Sequence, residues 1–248
     1  MIRFEGVRKS FGPKTVLDGL TLDVPAGKTT VIIGQSGSGK SVTLKLLIGI
    51  LAPDAGRILL DGTDLTALDP AGREAVTRKF GMLFQGAALF DSMTVAENVR
   101  FGLDRHTDLS PEAKRVRVTE SLEKVGLRNI DHLMPHELSG GMKKRVGLAR
   151  AIAYRPEIIL YDEPSTGIDP IRADAINELI NLLKSEMGVT SIVITHDMVS
   201  ANRVADRIAM LYEGRIVAVG TPEEIRETSN PVVQQFVNGR AAGPITNW

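Results

Sequence analysis

Residues 34–41, with the sequence GQSGSGKS, have the residue types and the spacing of a phosphate-binding loop. The three glycines allow the backbone to curl so that successive N–H groups face inward, and the helix predicted to follow adds the positive end of its dipole. Lys40 can reach the β- and γ-phosphates of a nucleotide, and the Ser41 hydroxyl is placed for Mg²⁺. The alternative is a glycine-rich turn with an accidental Lys-Ser pair. The apolar run 30–33 before the loop and the periodic segment 42–51 after it favour a site for a nucleoside triphosphate.

Two adjacent carboxylates, Asp162 and Glu163, follow the apolar run 158–161. Acids in this position often cap the next helix, and taken alone the pair favours that structural role. A phosphate-binding loop in the same chain favours a functional role instead, because a metal bound to the phosphates would sit at the carboxyl end of such a strand. We therefore predict that Asp162 holds Mg²⁺ and that Glu163 polarises the attacking water.

A second helix start with anion-binding character lies at Ser139, Gly140 and Gly141, ahead of a basic segment. As a structural feature, Ser139 is a helix N-cap and the glycines permit the turn. As a functional feature, the hydroxyl, the exposed N–H groups and the helix dipole make a second anion site in the same chain. Two phosphate-recognising helix starts in one chain suggest a dimer.

The elements that must position these residues indicate an α/β fold. Strands are predicted at residues 2–7, 20–24, 30–33, 57–60, 80–84, 158–160 and 191–194, and helices at 42–51, 111–125, 139–153, 170–187 and 231–237. The first two strands alternate apolar and polar residues on either side of the Gly12-Pro13 break, which is typical of a half-exposed antiparallel sheet. The later strands alternate with helices, as in a largely parallel sheet whose ligands bind beyond the carboxyl ends of the strands.

Between residues 94 and 155 the sequence becomes helical, which predicts an inserted helical subdomain. We expect one domain over residues 1–239, with a core at about 1–85 and 157–239 and the helical subdomain at about 86–156. Residues 240–248 form a tail, and its Gly, Pro and Asn residues favour a frayed end. Trp248, the only tryptophan, favours instead a tail that docks onto a partner subunit or an accessory protein.

The composition argues against several classes of protein. Thirty basic and thirty acidic residues cancel, so no overall field favours nucleic acid or an anionic membrane surface. The absence of cysteine excludes disulfides and thiolate chemistry. The amino terminus lacks the apolar centre of a signal peptide, and no run approaches the about 18 apolar residues of a membrane helix. Any role at a membrane is therefore expected to depend on a partner.

The motifs, in this order, resemble those of ATP-binding-cassette (ABC) ATPases over residues 1–238. That family has a P-loop NTPase core, an N-terminal antiparallel β subdomain and an inserted α-helical subdomain. The resemblance implies catalytic roles for Glu163, for Gln85 as the Q-loop glutamine and for His196 as the switch histidine, with ATP and Mg²⁺ as cofactors. It implies that Ser41, Gln85 and Asp162 bind the metal. The residues implied to bind the nucleotide are Phe11, Gly34, Gln35, Ser36, Gly37, Ser38, Gly39, Lys40, Ser41, Val42, Ser139, Gly140, Gly141 and Asp169.

By the same resemblance, Phe11 stacks on the base, Asp169 lies in the D-loop, and two subunits meet head to tail. Each ATP then lies between the phosphate-binding loop of one subunit and the Ser139 helix start of the other. Without the resemblance, Phe11 fits core packing equally well, and His196 is more typical of a capping or packed histidine. The family signature corresponds to residues 138–142 of this chain. It departs from the common form at Met142, which cannot reproduce the hydrogen bonds of the usual glutamine.

The resemblance is more specific at three places, which are residues 81–99, the signature ending in Met142 and residues 235–239. These resemble the ATPases of bacterial Mla/Mce-type lipid transporters. This implies transport of phospholipid between the inner and outer membranes by a homodimer bound to an integral-membrane permease. It also implies a Mce-type periplasmic lipid-binding protein, a small cytoplasmic regulatory subunit, a location at the cytoplasmic face of the inner membrane and no binding of nucleic acid. The alternatives are import of amino acids or another small solute, a soluble ABC ATPase of DNA repair or translation, and a small-molecule kinase.

An apolar stretch that includes Ala87, Ala88, Leu89, Phe90 and Met93 is predicted to lie in a loop. Loops carry apolar groups mainly where something covers them. Two explanations stay open, which are packing beneath the helical subdomain and contact with a permease.

Overall fold

The computed structural model describes residues 2–246. The strands are β1 (Ile2–Phe11), β2 (Lys14–Val24), β3 (Thr29–Ile33), β4 (Ala55–Leu60), β5 (Thr63–Asp64), β6 (Phe80–Leu83), β7 (Ile158–Asp162), β8 (Thr190–Thr195), β9 (Arg207–Tyr212) and β10 (Arg215–Gly220). The helices are α1 (Lys40–Leu47), α2 (Pro70–Thr77), α3 (Val95–His106), α4 (Pro111–Lys124), α5 (Gly140–Ile152), α6 (Pro170–Met187), α7 (Met198–Val204), α8 (Pro222–Glu227) and α9 (Pro231–Val237). Among residues 2–246, no helix is both long and apolar enough to cross a membrane.

The chain divides into two compact units. Met1–Glu74 and Ile192–Trp248 form the first unit, and Ala75–Ser191 forms the second. The boundary at Ser191 falls within β8. The division into a core and a helical subdomain that the sequence suggests stays a prediction.

The first unit contains the antiparallel sheet expected at the amino terminus. Its strand order is β2-β1-β4-β5, and all of its pairs are antiparallel. Ile2, Phe4 and Val7 of β1 are buried, which follows from the alternation of apolar residues on one face of a strand. The two-residue turn at Gly12-Pro13 pairs Phe11 with Lys14, so β1 and β2 are both longer than predicted. The antiparallel sheet is therefore confirmed.

A second set of strands in the first unit leads into the phosphate-binding loop. Every residue of β3 is buried, and β3 pairs in parallel with β9. β9 and β10 form an antiparallel hairpin whose turn residues Glu213 and Gly214 have φ of 46° and 74°. These values match the mirror-image turns that are typical of two-residue hairpin loops. α1 ends at Leu47, earlier than predicted, because Gly49 turns the backbone to φ 75°.

The second unit combines parallel strands with most of the predicted helices. β6 pairs in parallel with β7, whose five residues are all buried. Thr94, Ser110 and Ser139 cap α3, α4 and α5, because each side chain accepts a hydrogen bond from the first turn of its helix. The helix starts predicted at Pro111 and Ser139 are therefore confirmed. The sequence did not individually predict α2, α3, α8 or the short β5.

The described part of the tail folds back onto α9. The buried side chain of Gln235 accepts a hydrogen bond from Ile245 N at 2.7 Å and donates one to Ile245 O at 3.0 Å. Ile245 is itself buried, so the tail is anchored to α9 at this residue, whereas residues 240–244 are exposed. Trp248, on which the docking hypothesis depends, lies outside the described residues.

Candidate nucleotide and catalytic site

The phosphate-binding loop begins where β3 ends, and its backbone needs glycine at two positions. Gly34 and Gly39 have φ of 156° and 104°, which side-chain-bearing residues rarely adopt. A Cβ at Gly34 would lie 2.4 Å from the carbonyl oxygen of Leu211, and one at Gly39 would lie 3.0 Å from a methyl group of Leu17. The loop is thus packed tightly against its own unit, and only glycine fits at these positions.

The chemistry of this loop suits a phosphate group. Lys40, the first residue of α1, is buried, and its Nζ donates to the carbonyl oxygens of Gly34 at 2.7 Å and Gln35 at 2.8 Å. Ser38 Oγ is buried and has no hydrogen-bond partner among residues 2–246. Because a buried hydroxyl without a partner is costly, an anionic ligand oxygen would satisfy it. Ser41 lies half-buried in the first turn of α1.

Phe11 and His196 belong to the same unit as the loop. Phe11 ends β1, and its ring is 46% exposed, so it is not part of the core. The ammonium of Lys9 lies 5.6 Å from the ring centroid. His196 is exposed between the end of β8 and Asp197, which caps α7 by accepting from Val199 N and Ser200 N.

The carboxylates Asp162 and Glu163 are buried at the end of β7 in the second unit. Glu163 is only 8% exposed, and its backbone is left-handed with φ 49°. Thr166 holds it there, since Thr166 Oγ1 donates to Glu163 Oε2 at 3.0 Å and Thr166 N donates to Glu163 O at 3.2 Å. A non-glycine residue fixed in this sparsely populated conformation is a feature often found at functional sites.

Lys144 brings two of the predicted site residues together. Its side chain extends from α5 and is 5% exposed. Nζ donates to the carbonyl oxygen of Gln85 at 3.2 Å and to that of Glu163 at 3.3 Å. Burial lowers the pKa of the Lys144 ammonium, and the carboxylates of Glu163 and Asp162 oppose this shift.

The loop that follows Gln85 is clamped by a cation. Gln85 itself is exposed, just past the end of β6. Ala87 and Ala88 both have left-handed backbones, with φ of 61° and 48°. The Arg150 guanidinium donates to Ala87 O at 2.7 Å and to Ala88 O at 2.6 Å, which fixes this uncommon turn.

Asn98, from α3, fixes the next part of the same loop. It is fully buried, accepts from Phe90 N at 2.8 Å, and donates from Nδ2 to the carbonyl oxygens of Phe90, Met93 and Thr94 at 3.0–3.1 Å. Phe90 is 40% exposed and lies 4.7 Å from the Phe101 ring, centroid to centroid. Ala87 is buried, so internal packing accounts for part of the apolar stretch and leaves Phe90 accessible.

The second helix start has the geometry of an N-cap. Ser139 Oγ accepts from Met142 N at 3.3 Å, and Gly140 would have open space around an added Cβ. Asp169 caps α6 in the same way, with Oδ1 accepting from Arg172 N at 3.0 Å. Ser139, Gly140 and Asp169 are all exposed, and so they are accessible to a ligand or to a second copy.

The sequence did not predict a positioning role for Lys144, Arg150, Asn98 or Thr166. The helical spacing of α5 carried a signal for Lys144, because residue 144 lies on the same face as Leu148, one turn further along, and a lysine on such an apolar face needs acceptors inside the protein. For Asn98 and Arg150, the sequence carries no comparable signal, since their partners lie in a loop whose path is set by packing.

Comparison with known proteins identifies the family of this chain. A model of the ABC transporter family matches residues 17–166. The chain belongs to this family. This cassette is 43% identical over 244 residues to the probable ribonucleotide transport ATP-binding protein mkl of Mycobacterium leprae (strain TN), covering 98% of this chain and 70% of the relative. It is 42% identical over 234 residues to the intermembrane phospholipid transport system ATP-binding protein MlaF of Escherichia coli (strain K12), covering 94% of this chain and 87% of the relative.

Among solved structures, the cassette is similar to the ATP-binding cassette MJ0796 in a dimeric post-hydrolysis state bound to ADP and Pi. The TM-score is 0.83 at 31% sequence identity, and the alignment covers 90% of this chain and 99% of the other. The α/β fold of the ABC ATPases is therefore confirmed, and with it the activity of the family, which is ATP hydrolysis coupled to transport. Cassettes of this family dimerise and pair with a membrane permease.

Proposed function

We propose that this cassette hydrolyses ATP to drive the transport of phospholipid between the inner and outer membranes through a permease. The observation that carries the proposal is the 42% identity to the Escherichia coli phospholipid transport protein, which extends over 94% of this chain and 87% of that protein. The fold alone does not specify a cargo, because one fold serves many substrates. The cargo is therefore inferred from similarity along nearly the whole length of both chains.

For the chemistry, we assign Glu163 as the group that polarises the attacking water and Lys40 as the cation that binds the β- and γ-phosphates. Burial of Glu163 and its two hydrogen bonds from Thr166 support this assignment, since a positioned carboxylate is a more effective base than a mobile one. We also assign catalytic roles to Gln85 and His196. The nucleotide is bound by Phe11 and residues 34–42, and by Ser139, Gly140, Gly141 and Asp169 of the opposing copy in a homodimer.

Three of the assigned residues suit a divalent cation. Ser41, Gln85 and Asp162 offer hydroxyl, amide and carboxylate oxygens, the hard ligands that Mg²⁺ prefers. When bound, Mg²⁺ neutralises charge on the β- and γ-phosphate oxygens.

The partners follow from the proposed cargo. We propose a homodimer of this cassette at the cytoplasmic face of the inner membrane, attached peripherally through its permease. A periplasmic Mce-type lipid-binding protein would exchange lipid with that permease, and a small cytoplasmic subunit would regulate the ATPase. The exposed Phe90 in the loop after Gln85 supports a contact surface for the permease.

A small solute is the second candidate cargo. The Mycobacterium leprae relative carries the name of a ribonucleotide transport protein and is 43% identical to this chain. The match covers 70% of that relative, against 87% of the phospholipid transport protein, so that relative is weaker evidence for the cargo. Amino acids belong to the same class of alternatives.

Purification of the tagged native subunit with its permease tests the cargo directly. Mass spectrometry should find phospholipid enriched over the bulk membrane composition, together with a permease and a Mce-type protein. A matched preparation carrying Phe90→Asp, which should lose the permease, gives the background. ATPase activity of the complex that responds to ribonucleotides or amino acids, with no lipid enrichment over the background, would overturn the proposal.

A further inference from the structure

The side chain of Lys144 makes a connection that the proposed catalytic roles do not include. Lys144 lies on α5, whose amino terminus is the Ser139-Gly140-Gly141 helix start, and it is one turn along the helix from Gly140. Its ammonium is buried and reaches backbone oxygens in two different segments, one after β6 and one after β7. The same group therefore contacts the backbones of Gln85 and Glu163.

Two features indicate that this contact does more than fill space. A buried ammonium is costly, and an apolar side chain of similar volume is often as stable or more stable in such a place. The Glu163 carbonyl also belongs to a residue in a left-handed conformation, φ 49°, that needs outside support. Thr166, three residues later in the chain, donates a hydrogen bond to the Glu163 carbonyl, and Lys144 donates one to it from α5.

We infer that Lys144 is a positioning residue, which ties the signature helix α5 to the catalytic Glu163 and to Gln85. This inference rests on the proposed role of Glu163. In a head-to-tail dimer, the helix start at Ser139 binds the nucleotide of the opposing subunit, whereas Glu163 acts on the nucleotide of its own. Lys144 then links the two composite sites within one subunit, because a shift of α5 moves the backbone that carries Glu163.

The test is Lys144→Met, which keeps the length and bulk of the side chain and removes the charge and the donors. We expect kcat to fall on the order of 10–100-fold, as for a misplaced catalytic group, while KM for ATP stays within about twofold. ATP-driven dimer closure, followed by light scattering, should remain. Lys144→Arg should restore part of the rate, because a guanidinium keeps donors for both carbonyls. The matched control is Lys143→Met, on the preceding and more accessible lysine, which should hydrolyse ATP like the wild type.

Glu163→Gln is measured beside these variants, so that the two proposals fail separately. If Glu163→Gln hydrolyses ATP normally, the assignment of Glu163 is wrong. If Glu163→Gln is inactive but Lys144→Met keeps kcat within about twofold of the wild type, the positioning role is wrong. The positioning role is also overturned if Lys144→Met loses activity only in proportion to a loss of folded protein in thermal melts. Should Lys144→Met fold poorly, Lys144→Gln, which keeps an uncharged N–H donor group, must show a kcat between those of the wild type and Glu163→Gln.

Discussion

Replacement of Asn98 by alanine should destabilise the cassette strongly, because this one side chain holds the loop between Phe90 and Thr94. Asn98 Oδ1 accepts one hydrogen bond, and its Nδ2 lies within 3.1 Å of three carbonyl oxygens. The amide has only two N–H groups, so the side chain makes three full hydrogen bonds at most. At about 1 kcal/mol net for each bond, Asn98→Ala should cost about 3 kcal/mol, since the buried partners are left unpaired.

For a chain of this size, that loss corresponds to a decrease in Tm of about 6–12 °C. Thermal unfolding followed by circular dichroism measures it, with limited proteolysis to detect opening of residues 87–94. Asn202→Ala is the matched control, because Asn202 is exposed on α7, and its substitution should change stability by less than about 0.5 kcal/mol. A Tm for Asn98→Ala within about 2 °C of the control would refute the view that Asn98 holds this loop.

Four further substitutions test the site and its partners. Glu163→Gln should reduce ATP turnover by at least about 100-fold in a phosphate-release assay while ATP binding persists, because the amide keeps the shape of the carboxylate but cannot act as a base. Lys40→Ala should weaken ATP binding about 10-fold or more in calorimetry, because a cation at the phosphates is lost. Ser139→Arg should leave ATP binding to the monomer intact but block ATP-driven dimerisation in light scattering, because the bulky cation obstructs the helix start. Phe90→Asp should leave the cassette folded but abolish copurification of the permease, because a charge replaces the exposed ring.

Each of these expectations has its own contrary result. Turnover by Glu163→Gln near the wild-type rate would remove Glu163 from catalysis, and unchanged ATP affinity in Lys40→Ala would count against the phosphate-binding loop. Normal dimerisation of Ser139→Arg would contradict a nucleotide shared between two copies. Permease recovered with Phe90→Asp at the wild-type yield would eliminate this contact.

The candidate site was predictable where it depends on local spacing. The phosphate-binding loop, the helix start at Pro111 and the cap at Ser139 each involve residues a few positions apart, so their geometry is encoded in a short segment. The boundaries were less predictable. α1 ends before its apolar period does, because a glycine in a left-handed conformation can stop a helix that periodicity alone would continue.

By itself, the sequence determined the family, the order of the motifs and the chemical types at the site, since these follow from residue identity and spacing along one chain. Only the tertiary structure decided which of the buried polar residues hold that site in place. Lys144 donates to the carbonyl oxygen of Gln85, which lies 59 residues earlier in the sequence. Asn98 and Arg150 hold a loop whose path is set by the packing around it. Such partners are chosen by packing of distant segments, because a buried donor must be satisfied by whichever acceptor the fold brings within about 3 Å.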